Sequence, residues 1–145
     1  MPSQPDPLEG SNFSVDLGDG VAHSFSRVEL PVAVLDEVAY RSGADKSVEP
    51  RKQPGHASYT HLVLSRGLTT DLSLWAWWEA ARDGDTGIDR AVVVTLLDPT
   101  RQPRLRWRFR NAFPVAYRLS PLDTSSGDVV VETVELAFDS MDAEV

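Results

Sequence analysis

The chain contains no cysteine, which removes disulfide frameworks, thiol nucleophiles and cysteine-ligated metals together and fits a reducing compartment. It has no apolar run near the ~18 residues a membrane span needs, so no membrane anchor is predicted. Its opening residues, MPSQPDPLEG, lack the basic start and apolar centre of a secretory signal. Residues 1–11 read as a disordered tail ahead of a single domain at 12–145. Positive charge is scarce: 14 Lys and Arg against 22 Asp and Glu leave a formal net charge of -8. That balance argues against general affinity for nucleic acid, which basic surface drives. It leaves room for a passage through which polyanions slide without sticking. The three histidines, His23, His56 and His61, fit no paired-ligand motif. There is no G-x-S-x-G elbow, no phosphate-binding G-x-x-x-x-G-K-S/T loop and no G-x-G-x-x-G. Neither an enzyme nor a cofactor is expected.

What is present suits one globular domain: 145 residues, 41% of them hydrophobic and 25% charged. Phe13 to Leu17 and Val21 to Leu30 flank Gly18-Asp19-Gly20, a hairpin signal. Val32 to Tyr40 predicts a further strand after Pro31, and Tyr59 to Arg66 another. Asp71 is placed to cap a helix over Leu72 to Arg82, with Gly84 ending it. Ala91 to Leu97 is almost wholly apolar, as for a strand covered on both sides. Leu105 to Phe109 returns as its partner, Pro114 bends the chain before Val115 to Leu119, and Val129 to Asp139 is the last strand. Many strands with one flanking helix predict a mainly β fold, a barrel or sandwich of antiparallel strands with a long inter-strand loop.

Three features point outward. The polar excursion from Arg41 to Ser58 holds Arg41, Asp45, Lys46, Glu49, Arg51 and Lys52 among Gly43, Pro50, Pro54 and Gly55. It exceeds the ~12–15 residues of an ordinary structureless loop and reads as a contact arm. The helix is apolar nearly all round, with Leu72, Trp75 and Ala76 on one side and Leu74, Trp77, Trp78 and Ala81 on the other. Either it is deeply buried or one face meets a neighbouring subunit. Finally, Arg104, Arg106, Arg108 and Arg110 share one strand face, opposite Leu105, Trp107 and Phe109. Four like charges need counter-charges, and Glu132 and Glu135 are the first candidates. Glu132 sits among apolar residues on its own strand face, which requires a bulge or a pairing at a protein contact. A solvated or subunit-bridging stripe is favoured over a nucleic-acid site. The candidate contact residues are therefore Arg41, Asp45, Lys46, Glu49, Arg51, Lys52, Trp77, Trp78, Arg106, Arg108 and Glu132.

The words R-K-Q-P-G at Arg51–Gly55, L-S-R-G at Leu64–Gly67, W-A-W-W at Trp75–Trp78 and F-R-N-A-F-P at Phe109–Pro114 resemble, in order and spacing, the inner-tube proteins of contractile phage tails and phage-like contractile injection systems. The resemblance runs from about Phe13 to Phe138. It implies a β-barrel-like subunit whose hexameric rings stack into a rigid hollow tube inside a contractile sheath, and contraction drives that tube through a target envelope. The implied partners are further copies of the chain, the sheath protein, the baseplate, spike and tube-initiator proteins, and an effector or DNA cargo in the lumen. The excursion corresponds to the arm that such proteins set against neighbouring subunits. A baseplate-proximal tube initiator is the nearest alternative. A monomeric β-sandwich binding module, with the arginine stripe as its ligand face, is the alternative of a different class.

Overall fold

In the computed structural model, which describes residues 5–40, 43 and 50–145, ten strands and one helix follow one another. They are β1 (Phe13–Asp16), β2 (Ala22–His23), β3 (Arg27–Glu29), β4 (Ala33–Tyr40), β5 (Arg51–Tyr59), β6 (Leu62–Gly67), α1 (Ser73–Arg82), β7 (Arg90–Leu97), β8 (Pro103–Leu119), β9 (Val131–Ala137) and β10 (Ser140–Glu144). Residues 5–11 carry no strand or helix.

The first turn forms as its residues dictate. Asp16 Oδ1 accepts the N–H groups of Gly18 and Gly20 at 2.8 and 3.2 Å, a local bond pattern that favours a turn over a continuing strand. Gly18 has φ +89, and a side chain there would meet the Ala91 carbonyl at 3.2 Å. The stretch from Val21 to Leu30 is not one strand, as expected, but two short ones. Phe25 turns inward between them and is buried, so β2 pairs with β1 whereas β3 pairs with β6.

All pairings are antiparallel, and the main sheet runs β2-β1-β7-β8-β9-β6-β3, with β10 added on β8. Strand β8 is 17 residues long and serves both halves of this sheet. Its first part lies between β7 and β10, and its second part pairs with β9. The change of course falls at Asn111, which has φ 54, and at a register shift between Pro114 and Ala116, the places where a non-glycine αL residue and a bulge re-aim a strand. The two halves pack around one cluster that includes Val15, Phe25, Leu62, Leu64, Val92, Val94, Phe109, Val134 and Leu136. The ends of the path, β2 and β3, are not paired with each other. The architecture is therefore mainly β and antiparallel with one helix, as predicted, but sandwich-like and not a closed barrel.

Two further expectations need correction. Strand β7 is covered on one side only: Val92 and Val94 are buried while Ala91 is exposed, because its other face lies beside the arginines of β8. The last strand begins at Val131 and is interrupted after Ala137, resuming as β10 along the first part of β8. No apolar alternation marks β10, whose outward side chains are Asp142 and Glu144.

Helix α1 starts at Ser73, a residue or two after the predicted capping position. Asp71 still acts there, its Oδ1 accepting the Ser73 N–H at 3.0 Å. At the far end the Gly84 N–H reaches the Ala81 carbonyl at 3.2 Å, with Gly84 at φ +74. Leu74 and Trp77 hold the helix on the core, and burying a leucine side chain contributes about 1.5–3 kcal/mol.

Candidate subunit-contact surfaces

The Arg41–Ser58 excursion is not a structureless loop. Its second half is β5, which pairs with β4 as a separate two-stranded arm. Arg41, Asp45, Lys46 and Glu49 lie outside the described residues. The register shifts between Leu35 and Glu37, and Gly55 faces this bulge. A Cβ on Gly55 would stand 3.0 Å from the Asp36 carbonyl oxygen and 3.1 Å from Val38 Cγ2, so the glycine of R-K-Q-P-G is required by close approach. Lys52 Nζ lies 3.6 Å from Glu37 Oε2 across the arm, with both side chains largely exposed. Arg51 pairs opposite Tyr40 at the distal end.

Every residue of β4 is exposed, including Val34, Leu35, Val38 and Tyr40. A two-stranded ribbon is at best marginally stable alone in water, and this one leaves large apolar side chains exposed on both faces. Its root is secured: the Thr60 N–H donates to the Val32 carbonyl at 3.1 Å, and the Val32 N–H donates to Thr60 Oγ1 at 2.7 Å. Tyr59 rests against Phe138 with ring centroids 5.4 Å apart.

The two tryptophans singled out on the helix part company. Trp77 is only 3% exposed; its indole N–H donates to the Ile88 carbonyl at 2.8 Å and the Arg90 guanidinium lies 4.4 Å from its ring centroid. Its surface is spent inside the subunit. Trp78 is half-buried and stacks on Trp75 at 5.1 Å, and Trp75 meets the edge of Tyr117 at 5.3 Å. Leu74 and Trp77 are core, while Trp75 and Trp78 form an aromatic strip at the surface.

The arginine face is placed as its alternation predicts, with Arg104, Arg106, Arg108 and Arg110 all exposed. Its counter-charges are not Glu132 and Glu135. They come from β10 in the same subunit: Arg108 Nε donates to Glu144 Oε1 at 2.8 Å, and Arg110 lies 3.5 Å from Asp142. Arg106 stands directly opposite Glu144 in the ladder. The face is thus a ladder of alternating charge. At its edge the Asp98 carboxyl is held below its ordinary pKa chiefly by the Thr100 hydroxyl, with the Gln102 amide and Arg104 assisting.

Glu132 is 1% exposed and is satisfied within the fold. Arg66 Nε donates to it at 2.7 Å and the Tyr117 hydroxyl at 2.6 Å. Arg66 also reaches Ser73 Oγ at 3.3 Å and stacks over Phe25 at 5.3 Å, joining β6, β9, β8 and the start of α1. Burial, and then the bond to the Glu132 carboxylate, push the Tyr117 hydroxyl up to about 12. Glu135 is engaged on the other face by Arg118 at 3.1 Å. Arg66 and Tyr117 were not singled out in the sequence. The available signal was a lone arginine ending an apolar strand, which needs a buried carboxylate when it too is buried. Among the described residues no group of three His, Asp or Glu could hold a metal ion. No helix among them is long and apolar enough to cross a membrane.

A family model described as T4-like virus tail tube protein gp19 matches residues 9–142. Among solved structures, a chain of the anti-feeding prophage cap is 20% identical with a TM-score of 0.85, over 99% of this chain and 95% of that one. A chain of the sheath-tube complex of the PVC extracellular contractile injection system in its extended state is 22% identical with a TM-score of 0.83, over 95% and 91%. Hcp1 from Flavobacterium johnsoniae is more distant, at 14% identity and a TM-score of 0.57 over 91% and 94%. No curated protein sequence matches significantly.

Proposed function

We propose, for a chain that belongs to the T4-like virus tail tube protein family and is a structural subunit of such a tube, that six copies close into a ring and that rings stack into a hollow conduit. The observation that carries this is a family match over nearly the whole chain, joined to an arm that the subunit leaves uncovered. Closed symmetry lets each copy cover apolar surface and sheet edges that its neighbour exposes. The tube works by shape, without catalysis or a cofactor. The sheath and baseplate of the same particle are its further partners, since similar chains are solved in a sheath-tube complex and in a baseplate. An effector or DNA would pass through the lumen, and assembly would occur in the cytoplasm of the producing cell.

The arm, including Arg51 and Lys52, and the aromatic strip bearing Trp78 are the contact surfaces in this reading. Trp77, Glu132 and the arginines of β8 serve the subunit's own fold and charge balance. Light scattering and negative-stain microscopy, on concentrated protein and on protein co-expressed with its sheath and baseplate, provide the test. Rings and tubes are expected; a strict monomer under both conditions would refute the proposal in favour of a binding module.

A further inference from the structure

Helix α1 is held on the core along a narrow line. Of its ten residues only Leu74 and Trp77 are buried, and at a spacing of three they lie on one side of the helix. Apolar contact has no preferred direction, so such a line secures the helix without fixing its roll about that line. The roll decides where Trp75 and Trp78 stand.

Two contacts reach α1 from one buried carboxylate. Glu132 uses its two oxygens separately: Oε1 accepts from Arg66 Nε at 2.7 Å, and Oε2 accepts from the Tyr117 hydroxyl at 2.6 Å. Arg66 carries the first hold to the start of the helix. Its Nη2 donates to Ser73 Oγ at 3.3 Å and lies 3.9 Å from Asp71 Oδ2. Tyr117 carries the second hold to the flank, its ring edge-on to Trp75 at 5.3 Å. Trp78 stacks on Trp75 beyond it, and the Arg82 guanidinium ends the row 5.4 Å from the Trp78 ring centroid. Hydrogen bonds to a carboxylate are short and directional, so one end and one flank of α1 are both referred to Glu132. Stability alone does not call for this arrangement. Well-packed apolar side chains of similar volume often serve a fold as well as a buried ion pair. What an apolar replacement gives up first is a single fixed arrangement.

We infer that Arg66, Glu132 and Tyr117 are positioning residues that fix the roll of α1 and thereby hold Trp75 and Trp78 as a rigid surface for contact with a second copy of this chain. The partner rests on the tube reading, whereas the positioning rests on the geometry of the subunit alone. A strip that is already ordered before contact loses less freedom on binding. The network therefore acts on assembly through two side chains that it does not itself expose.

The chain has four tryptophans, so fluorotryptophan labelling and fluorine NMR of the dissociated subunit can read each indole, with Trp75→Phe and Trp78→Phe assigning the two lines of the strip. The parent should give single narrow lines. The variant carrying Arg66→Met, Glu132→Met and Tyr117→Phe should melt close to the parent. Its Trp75 and Trp78 lines should nonetheless broaden or split, while those of Trp77 and Trp107 stay narrow. Tyr117→Phe alone keeps the ring against Trp75 and cuts only its bond to Glu132. It should broaden the same two lines, and it decides the matter if the triple variant does not fold. Lines that all stay narrow in both variants overturn the inference, because a purely stabilising role predicts that result. Co-expressed with sheath and baseplate, the triple variant should form no tubes, and normal-length tubes from it overturn the inference as well. A parent chain that forms no tubes refutes the tube reading, and the four lines still decide the positioning.

Discussion

Replacing Arg66 by alanine strands Glu132, and the size of the effect follows from its surroundings. Glu132 is 1% exposed, so water cannot take the place of the guanidinium. The Tyr117 hydroxyl at 2.6 Å remains, but the bond from Arg66 Nε at 2.7 Å is lost; a hydrogen bond to a charged group contributes about 1.5–3 kcal/mol. The guanidinium over Phe25 is lost as well, worth about 0.5–2 kcal/mol. Together these approach the ~3–5 kcal/mol typical of breaking a buried ion pair from one side. At about 2–4 °C per kcal/mol for a domain near this size, melting should fall by roughly 6–20 °C. Thermal and urea unfolding of the dissociated subunit, followed by tryptophan fluorescence, measures it. The variant carrying Arg66→Met, Glu132→Met and Tyr117→Phe should regain most of the loss, since apolar replacement of a whole buried polar group is often near neutral. An Arg66→Ala protein within about 1 kcal/mol of the parent would refute the claim that this pair is desolvated.

Gly55→Ala should disturb the arm alone, because the added Cβ meets the Asp36 carbonyl oxygen at 3.0 Å; limited proteolysis should cut within 33–59 sooner while core melting stays the same. Alkaline unfolding should show Tyr117. Its pKa is raised on folding from 10.0 to about 12, so its stabilising contribution is complete below pH 10 and is lost as pH rises toward 12, an effect that Tyr117→Phe abolishes. The arginine face should not capture DNA, because Glu144 and Asp142 already engage Arg108 and Arg110. Filter binding near physiological salt should detect no saturable complex in the parent, and Asp142→Asn with Glu144→Gln should create salt-sensitive binding.

Elements with one buried face were legible from residue pattern alone. The alternation of 104–110 placed four arginines on one face, and the first turn and the helix were readable from Gly18-Asp19-Gly20 and from Asp71 with Gly84. Of the arm, β4 was readable as the strand Val32 to Tyr40, but β5 was not: neither face of the arm is buried in the subunit, so β5 carries no alternation, and Pro54 with Gly55 reads as a break where the chain pairs opposite a bulge. Strand β10 was missed for a related reason: its side chains answer the charges of β8, not the core. The partner of Glu132 stands 66 residues away, a distance over which local pattern carries no information.

Strand β8 has a mechanical consequence. Its 17 residues follow roughly 55 Å of contour, flanked first by β7 and β10 and then by β9. A pull along that contour loads the flanking bonds in parallel, so they must shear together and cannot unzip one at a time. A subunit pushed end-on through a resisting barrier would therefore hold its shape up to a high threshold and then give way abruptly. At Asn111, where the strand turns from one half of the sheet to the other, the side-chain amide donates to Asp139 at 2.7 Å and ties the bend to the chain leading into β10.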